Sequence, residues 1–263
     1  MDEGLIYDAG MHRGEDAEFY LKKGFRVVGI EALATNCDLA RERLRGYVEG
    51  GKLVILNLAI AEITGPVRFF VNRSSSVWGT TSARWAKRNQ QMGTESFETT
   101  VEGIEFARVL SQYGVPYYLK VDIEGADMLC LDALRAIEDR PKYISIESAK
   151  TSWAELRSEF EMLKSLGYSK FKVVHQSTVP RQVCRFPPRE GAFTDHRFES
   201  GSSGLFGDEI PGEWLSEQAA LGLYRRIFLK YRFFGDSLRR FRVTRAILDR
   251  LIDVGWYDTH AAR

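Results

Sequence analysis

Long apolar runs are missing from this sequence of 263 residues. No stretch approaches the ~20 consecutive apolar residues that cross a membrane as a helix, and the first residues lack the basic segment and apolar core of a secretory signal. An excess of charge of one sign is missing too, because the formal net charge is only +1. The chain as a whole therefore has no general electrostatic attraction to nucleic acid. We therefore expect a cytoplasmic globular protein with no nucleic-acid partner.

Cysteine and histidine are also scarce. Cys37, Cys130 and Cys184 are odd in number and far apart in the sequence, which is typical of reduced thiols rather than of a disulfide framework. Neither they nor the four histidines occur at the spacing of a zinc site. The sequence therefore predicts no metal site.

Strand and helix patterns alternate along most of the chain. Apolar stretches of strand length and amphipathic stretches of helical length follow one another from residue 5 to residue 175. Repeated units of this kind form a mainly parallel sheet with right-handed crossovers, so we expect an α/β fold with a doubly wound sheet. The predicted strands are 5–8, 26–31, 53–57, 116–122, 142–147 and 170–175, with a hairpin at 67–71 and helices at 15–23, 35–48, 103–113, 126–138 and 153–166.

The stretch from Leu119 to Asp127 is the most informative part of the sequence. It ends a predicted buried strand in Asp122 and Glu124, followed at once by Gly125. In open α/β sheets the carboxyl ends of the strands hold the ligand. Two acids at the end of a buried strand cost free energy unless another group pairs with them. We therefore expect chemistry at this edge of the sheet.

A second strand-to-helix junction lies near the start of the chain. Gly10 allows a tight turn after the strand, and Gly14 allows close backbone approach where the next helix begins. Glu31 ends the following strand about 20 residues later, at the position of a carboxylate that binds ribose hydroxyls. Together these residues predict a site for a nucleotide-like ligand.

Four segments together resemble the FkbM family of S-adenosylmethionine-dependent methyltransferases. They are Asp8-x-Gly10-x-x-x-Gly14, Val28–Ala32, Asn57–Ala61 and Lys120–Ala126. The resemblance implies a Rossmann-like class I methyltransferase fold with S-adenosylmethionine as its cofactor. The family commonly has Ala-Asn after the first loop glycine, whereas this sequence has Met11 and His12.

The resemblance also implies which residues hold the cofactor. Glu31 would accept hydrogen bonds from the ribose hydroxyls, the backbone around Gly10 would approach the methionine portion, and the third-strand segment would lie beside the adenine. The implied cofactor contacts are Asp8, Gly10, Met11, His12, Gly14, Glu31, Ala32, Leu58, Ala59, Ile60 and Asp122.

Four residues are candidates for catalysis. Asp122 and Glu124 lie where methyl donor and acceptor would meet, and a carboxylate there could bind the cofactor's ammonium group or remove the acceptor's proton. Lys120 could neutralise these acids or an anionic substrate, or it could form a structural ion pair with one of them. His175 ends a strand and is either a base or a hydrogen-bonded residue at the rim. Glu147, at the end of another strand, could face the acceptor.

The chain divides into three parts. Residues 1–175 are predicted to form the cofactor-binding core, and 176–213 an irregular segment on the substrate side. Residues 214–263 are predicted to form a helical extension, with a basic amphipathic stretch at 225–250. That stretch is either a solvated helix face or a contact for an anionic membrane surface, a phosphorylated substrate or a partner.

The predicted function is methylation of a hydroxyl on a sugar or natural product, and the resemblance neither selects the acceptor nor excludes N-methylation. One alternative is a nicotinamide-dependent oxidoreductase, because Gly10, Gly14 and Glu31 could also serve a dinucleotide. Its usual three-glycine fingerprint is missing, however, and the reductase-like pair Tyr168 and Lys172 enters a predicted strand. The other alternative is a catalytically inactive binding or scaffold protein.

Overall fold

The computed structural model describes residues 1–73, 79–91, 94–149, 152–234 and 256–263. Its strands are β1 (Asp2–Ala9), β2 (Arg26–Ile30), β3 (Leu53–Leu56), β4 (Ala59–Ile60), β5 (Gly65–Asn72), β6 (Ser96–Ile104), β7 (Pro116–Val121), β8 (Tyr143–Glu147), β9 (Lys170–His175) and β10 (Tyr257–Ala262). Its helices are α1 (Glu15–Lys22), α2 (Ala34–Arg43), α3 (Arg45–Glu49), α4 (Ala83–Gln91), α5 (Phe106–Tyr113), α6 (Asp127–Leu134), α7 (Trp153–Ser165) and α8 (Glu217–Phe234).

Seven strands form the central sheet, in the order β3-β2-β1-β7-β8-β10-β9. All run parallel except β10, which is antiparallel to both β8 and β9. The chain builds outward from β1 to β3 and then adds β7 on the other side of β1. The predicted α/β fold with a doubly wound, mainly parallel sheet is confirmed, and its switch point places the ends of β1 and β7 side by side.

Both faces of the sheet are covered. Helices α5, α6, α7 and α8 pack against one face, in a core that includes Leu119 and Phe160. Helices α1 and α2 pack against the other face together with residues 176–213, whose Phe206 ring stacks on Tyr118 with centroids 4.7 Å apart. Much of the segment predicted to lie on the substrate side therefore covers a face of the sheet.

A smaller sheet, β4-β6-β5, lies beside the central one. Strands β5 and β6 pair antiparallel, and α4 lies between them in the chain. The Thr80 hydroxyl, just before α4, donates a hydrogen bond to the Glu124 carbonyl oxygen at 2.7 Å. This contact ties the smaller unit to the end of β7, where the site was predicted.

The helical prediction for residues 214–263 needs a correction. Helix α8 lies within that range, but Tyr257–Ala262 form strand β10. A helix is impossible there because β10 lies inside the sheet and its backbone hydrogen-bonds to a strand on each side. The strand pattern is obscured in the sequence because Asp258 and His260 are polar and yet buried. The end of the chain is therefore part of the core sheet, not a separate extension.

The basic stretch predicted at 225–250 begins in α8, where the Arg225 guanidinium lies 5.7 Å from the centre of the Trp153 ring. Residues 235–250 lie outside the described residues. No helix within the described ranges is long and apolar enough to cross a membrane. Contact between this stretch and an anionic membrane surface stays a prediction.

Candidate active site

A cavity of about 440 Å³ lies at the carboxyl ends of the central strands, a size typical of small-ligand sites. Asp8, Gly14 and His175 are not among the residues that line it. The predicted site residues that do line it are Gly10, Met11, His12, Glu31, Ala32, Leu58, Ala59, Ile60, Lys120, Asp122, Glu124 and Glu147.

The turn after β1 passes directly against the end of β7. Gly10 has φ +82°, and a Cβ at this position would lie 1.9 Å from the carbonyl oxygen of Asp122. Any other residue would therefore displace the backbone. Met11 is buried, and its sulfur occupies the space beside Gly29. Gly14, with φ +83°, is the N-cap residue of α1 and is not among the lining residues.

Glu31 is oriented by backbone groups of two loops. Its Oε2 accepts a hydrogen bond from the His12 N–H at 3.0 Å, and its Oε1 accepts one from the Leu33 N–H at 2.8 Å. Burial raises the pKa of Glu31, while the hydrogen bond from Leu33 lowers it. Since His12 contributes its backbone, the departure from the family's usual residue leaves this contact intact. The Glu31 carboxylate keeps lone pairs with which to accept hydroxyl hydrogens.

A buried charge cluster lies beneath the turn. Lys120 Nζ donates to the Gly10 carbonyl oxygen at 2.9 Å, and it lies 3.0 Å from Asp8 Oδ1 and 3.7 Å from Asp16 Oδ2. Burial lowers the pKa of Lys120, but the Asp8 and Asp16 carboxylates outweigh burial and raise it. Lys120 therefore forms an ion pair, with these two acids rather than with those that follow β7. Asp8 is not a lining residue, but it contacts Lys120, which is one.

Three carboxylates converge at the ends of β7 and β8. Oxygens of Asp122, Glu124 and Glu147 lie within 4.8 Å of one another. Glu124 has φ +48°, and its carboxylate lies 3.7 Å from the Arg88 guanidinium. Such a cluster favours a cationic or hydrogen-donating ligand. Acidic groups are also found at this spacing without a metal ion, and the prediction of no metal site stays a prediction.

The other end of the cavity lies beside β9 and β10. Gln176 and Ser177, directly after β9, line it together with Trp256, directly before β10. The Gln176 side chain donates to Asp258 Oδ1 at 2.9 Å, and burial raises the pKa of Asp258 to about 8. The Ser177 hydroxyl lies 2.6 Å from Nδ1 of His175. These polar residues are separate from the cofactor positions around Glu31.

Asp16, Gln176 and Ser177 were missed in the sequence. Gln176 and Ser177 could have been found by the rule that identified Asp122, because they directly follow a parallel strand. Asp16 carries no such signal, since an acid in the first turn of a helix is ordinary. Its carboxylate accepts hydrogen bonds from the Ser203 N–H at 2.9 and 3.0 Å, which fixes the segment 176–213 beside the cavity.

The site fits an adenosine-containing cofactor on two observations. Gly10, which lines the cavity, lets the turn after β1 pack directly against the Asp122 carbonyl group, and both Glu31 oxygens are oriented by backbone N–H groups. With the doubly wound sheet, these features define a class I methyltransferase fold. The chain matches the Methyltransferase FkbM domain over residues 8–170, more than half of its length, and belongs to that family. The predicted family is confirmed, and S-adenosylmethionine is the cofactor.

Solved structures with a similar fold include methyltransferases of distant sequence. Precorrin-6y C5,15-methyltransferase from Geobacter metallireducens GS-15 is 12% identical over 66% of this chain and 68% of that one, with a TM-score of 0.38. A SAM dependent methyltransferase from Archaeoglobus fulgidus is 10% identical over 98% and 86%, with a TM-score of 0.38. At these TM-scores nothing about acceptor or mechanism is carried over. A comparison with curated proteins gives no match.

Proposed function

We propose that this methyltransferase acts on a hydroxyl oxygen of a sugar or another polyhydroxylated natural product. The observation that supports this acceptor is the polar end of the cavity, where Glu147, Gln176, Ser177 and Trp256 are lining residues. Carboxylate and amide oxygens accept hydrogen bonds from hydroxyls. An indole ring offers a flat apolar surface and one polar group, which suits the C–H face of a sugar ring.

The charge of the lining opposes an anionic acceptor. Asp122, Glu124 and Glu147 converge on the cavity, whereas Lys120 is committed to buried acids and to the Gly10 carbonyl. A phosphorylated acceptor would therefore meet like charge. A protonated amine would be attracted instead, so N-methylation is the competing outcome to be tested.

The proposed roles follow from position. Glu31 and the turn from Gly10 to His12 hold the cofactor, and Leu58, Ala59 and Ile60 form the adenine wall. When bound, the cofactor supplies an electrophilic methyl group on a sulfonium sulfur. Asp122 and Glu124 would orient the cofactor's ammonium group or the acceptor hydroxyl, and Lys120 would hold the turn in place. His175 is the proposed base.

The oxidoreductase alternative has no support in the site. The Tyr168 hydroxyl donates to the Pro141 carbonyl at 2.7 Å, and Lys172 donates to the Ile210 carbonyl at 2.6 Å. Neither residue lines the cavity. A reductase pair would have to face a common ligand, and these two side chains are occupied elsewhere.

Incubation with methyl-labelled S-adenosylmethionine tests the proposal. The acceptor panel would contain free hexoses, 6-deoxyhexoses, alkyl glycosides, a phenol, a hexose phosphate and an amino sugar, with products identified by mass spectrometry. We expect label on a hydroxyl oxygen of a neutral sugar or glycoside. Label on the amino-sugar nitrogen alone, or on the hexose phosphate alone, would contradict the proposed acceptor. Glu31→Ala serves as the control for enzyme-dependent transfer.

A further inference from the structure

Ser177 connects the cavity to a buried histidine. Its hydroxyl lines the cavity and lies 2.6 Å from Nδ1 of His175, whereas His175 itself is 9% exposed and is not a lining residue. The imidazole therefore meets the acceptor end of the site through one hydroxyl group. A serine between a base and a ligand is a known chemical arrangement for moving a proton, since a hydroxyl both donates and accepts.

The position of the imidazole is fixed on other sides as well. The His175 ring packs against the Tyr257 ring on β10, with centroids 4.4 Å apart. The Thr178 hydroxyl donates to the His175 carbonyl oxygen at 2.7 Å, and His175 pairs with Tyr257 across the two strands. Tyr257 is the titratable ring that faces His175 from the neighbouring strand. A ring held in this way stays aligned with the hydroxyl at Ser177.

We propose that Ser177 is a catalytic residue that passes the acceptor's proton to His175, an inference that rests on the proposed hydroxyl acceptor. The acceptor oxygen forms its bond to the methyl carbon while the carbon–sulfur bond breaks and its electron pair stays on sulfur. The proton of the acceptor hydroxyl moves to Ser177 Oγ as the original Ser177 proton moves to His175 Nδ1. The products are a methyl ether, a neutral thioether and an imidazolium ion.

The relay answers a chemical need of the proposed reaction. A neutral sugar hydroxyl is a weak nucleophile, and its oxygen gains a positive charge as it is methylated unless the proton leaves. An imidazole is a stronger base near neutral pH than a carboxylate with its usual acidity, so it is better matched to this proton. Ser177 alone could not serve, because its hydroxyl can take a proton only by giving one up. The 2.6 Å contact with Nδ1 supplies that outlet.

The tautomer of His175 tests the relay without any acceptor. Nδ1 can accept a proton only if the neutral ring carries its hydrogen on Nε2. Long-range proton–nitrogen NMR on protein labelled with ¹⁵N at histidine would report the tautomer, and His175→Gln would identify the signal. We expect the Nε2–H tautomer for the neutral ring, and a shift of the Nδ1 resonance in Ser177→Ala. The Nδ1–H tautomer would overturn the proposal.

Turnover provides the second test, with the acceptor found in the panel above. We expect Ser177→Ala to lower kcat at least tenfold with unchanged S-adenosylhomocysteine affinity, and Ser177→Thr to restore most of the rate by returning the hydroxyl. Ser165→Ala is the matched control: it removes the hydroxyl of an exposed serine on α7 that donates to the Met162 carbonyl oxygen, and it should keep the wild-type kcat. A Ser177→Ala enzyme within twofold of wild type would refute the relay.

The proposed hydroxyl acceptor and the proposed proton relay are refuted by different results. If the wild-type protein methylates no hydroxyl in the panel, the proposed acceptor fails, while the NMR result still decides whether His175 can take a proton from Ser177. If hydroxyls are methylated and Ser177→Ala is unimpaired, the proposed acceptor stands and the relay is wrong.

Discussion

Replacement of Glu31 by alanine gives a direct measure of the cofactor site. Glu31 is 9% exposed, and both of its carboxylate oxygens accept hydrogen bonds from backbone N–H groups, those of His12 and Leu33. Hydrogen bonds to a charged group contribute about 1.5–3 kcal/mol, so losing those to the ribose should weaken binding about 10- to 150-fold. Glu31→Gln should fall between wild type and Glu31→Ala, because the amide can accept from only one of the two N–H groups.

The assay is calorimetric titration of S-adenosylhomocysteine into each variant at one pH and salt concentration. Glu42→Ala, on the exposed side of α2, is the control for removing a carboxylate elsewhere, and it should bind as wild type does. Melting temperatures show whether each variant is folded at the temperature of the titration. A folded Glu31→Ala protein with an affinity within twofold of wild type would mean that Glu31 does not hold the cofactor.

Three further predictions concern the two ends of the cavity. Asp122→Asn and Glu124→Gln keep the shape of each side chain while removing its charge. Each should therefore lower the methylation rate at least tenfold, with a melting temperature changed by no more than about 2 °C. Full activity in both variants would mean that these two residues take no part in the mechanism. Gly10→Ala combines left-handed strain of about 1–2 kcal/mol with a contact 1.9 Å from the Asp122 carbonyl oxygen, and we expect it to lose S-adenosylhomocysteine binding. Gly24→Ala, which has φ +94° and nothing within 4 Å of its Cβ, carries the strain alone and should still bind. Finally, burial raises the pKa of Asp258 to about 8, so the folded protein keeps a proton that the unfolded chain loses near pH 4. The free energy of unfolding of wild type should therefore fall relative to that of Asp258→Asn as pH rises from about 4 to about 8, by at most about 1.4 kcal/mol per pH unit in urea titrations, and parallel curves would contradict this reasoning.

The cofactor side of the site could be predicted because its signals are local. Gly10, Glu31 and Asp122 each end a strand whose pattern is plain in the sequence, and a parallel sheet brings such ends to one edge. The side near β9 could not be predicted in the same way. Asp258 is buried between β8 and β9, and burial raises its pKa. Because a polar residue occupies a core position, its short strand has no clean apolar alternation. The contact between Asp16 and Ser203 joins residues 187 positions apart, and no local pattern records it.

The place of β10 between β8 and β9 also sets an order of assembly during synthesis. Within the described ranges β9 pairs in the central sheet with β10 alone, so we expect it to join the sheet only when residues 257–262 have left the ribosome. The turn at Gly10 and Glu31 directly follow β1 and β2, which pair with each other, with β3 and with β7. The proposed adenine wall includes β4, which pairs with β6, and all of these strands precede β8 in the chain. Domains assemble from the amino terminus as they are made, and distant pairings form last. We therefore expect a nascent chain to complete its cofactor side before it acquires the residues proposed to meet the acceptor.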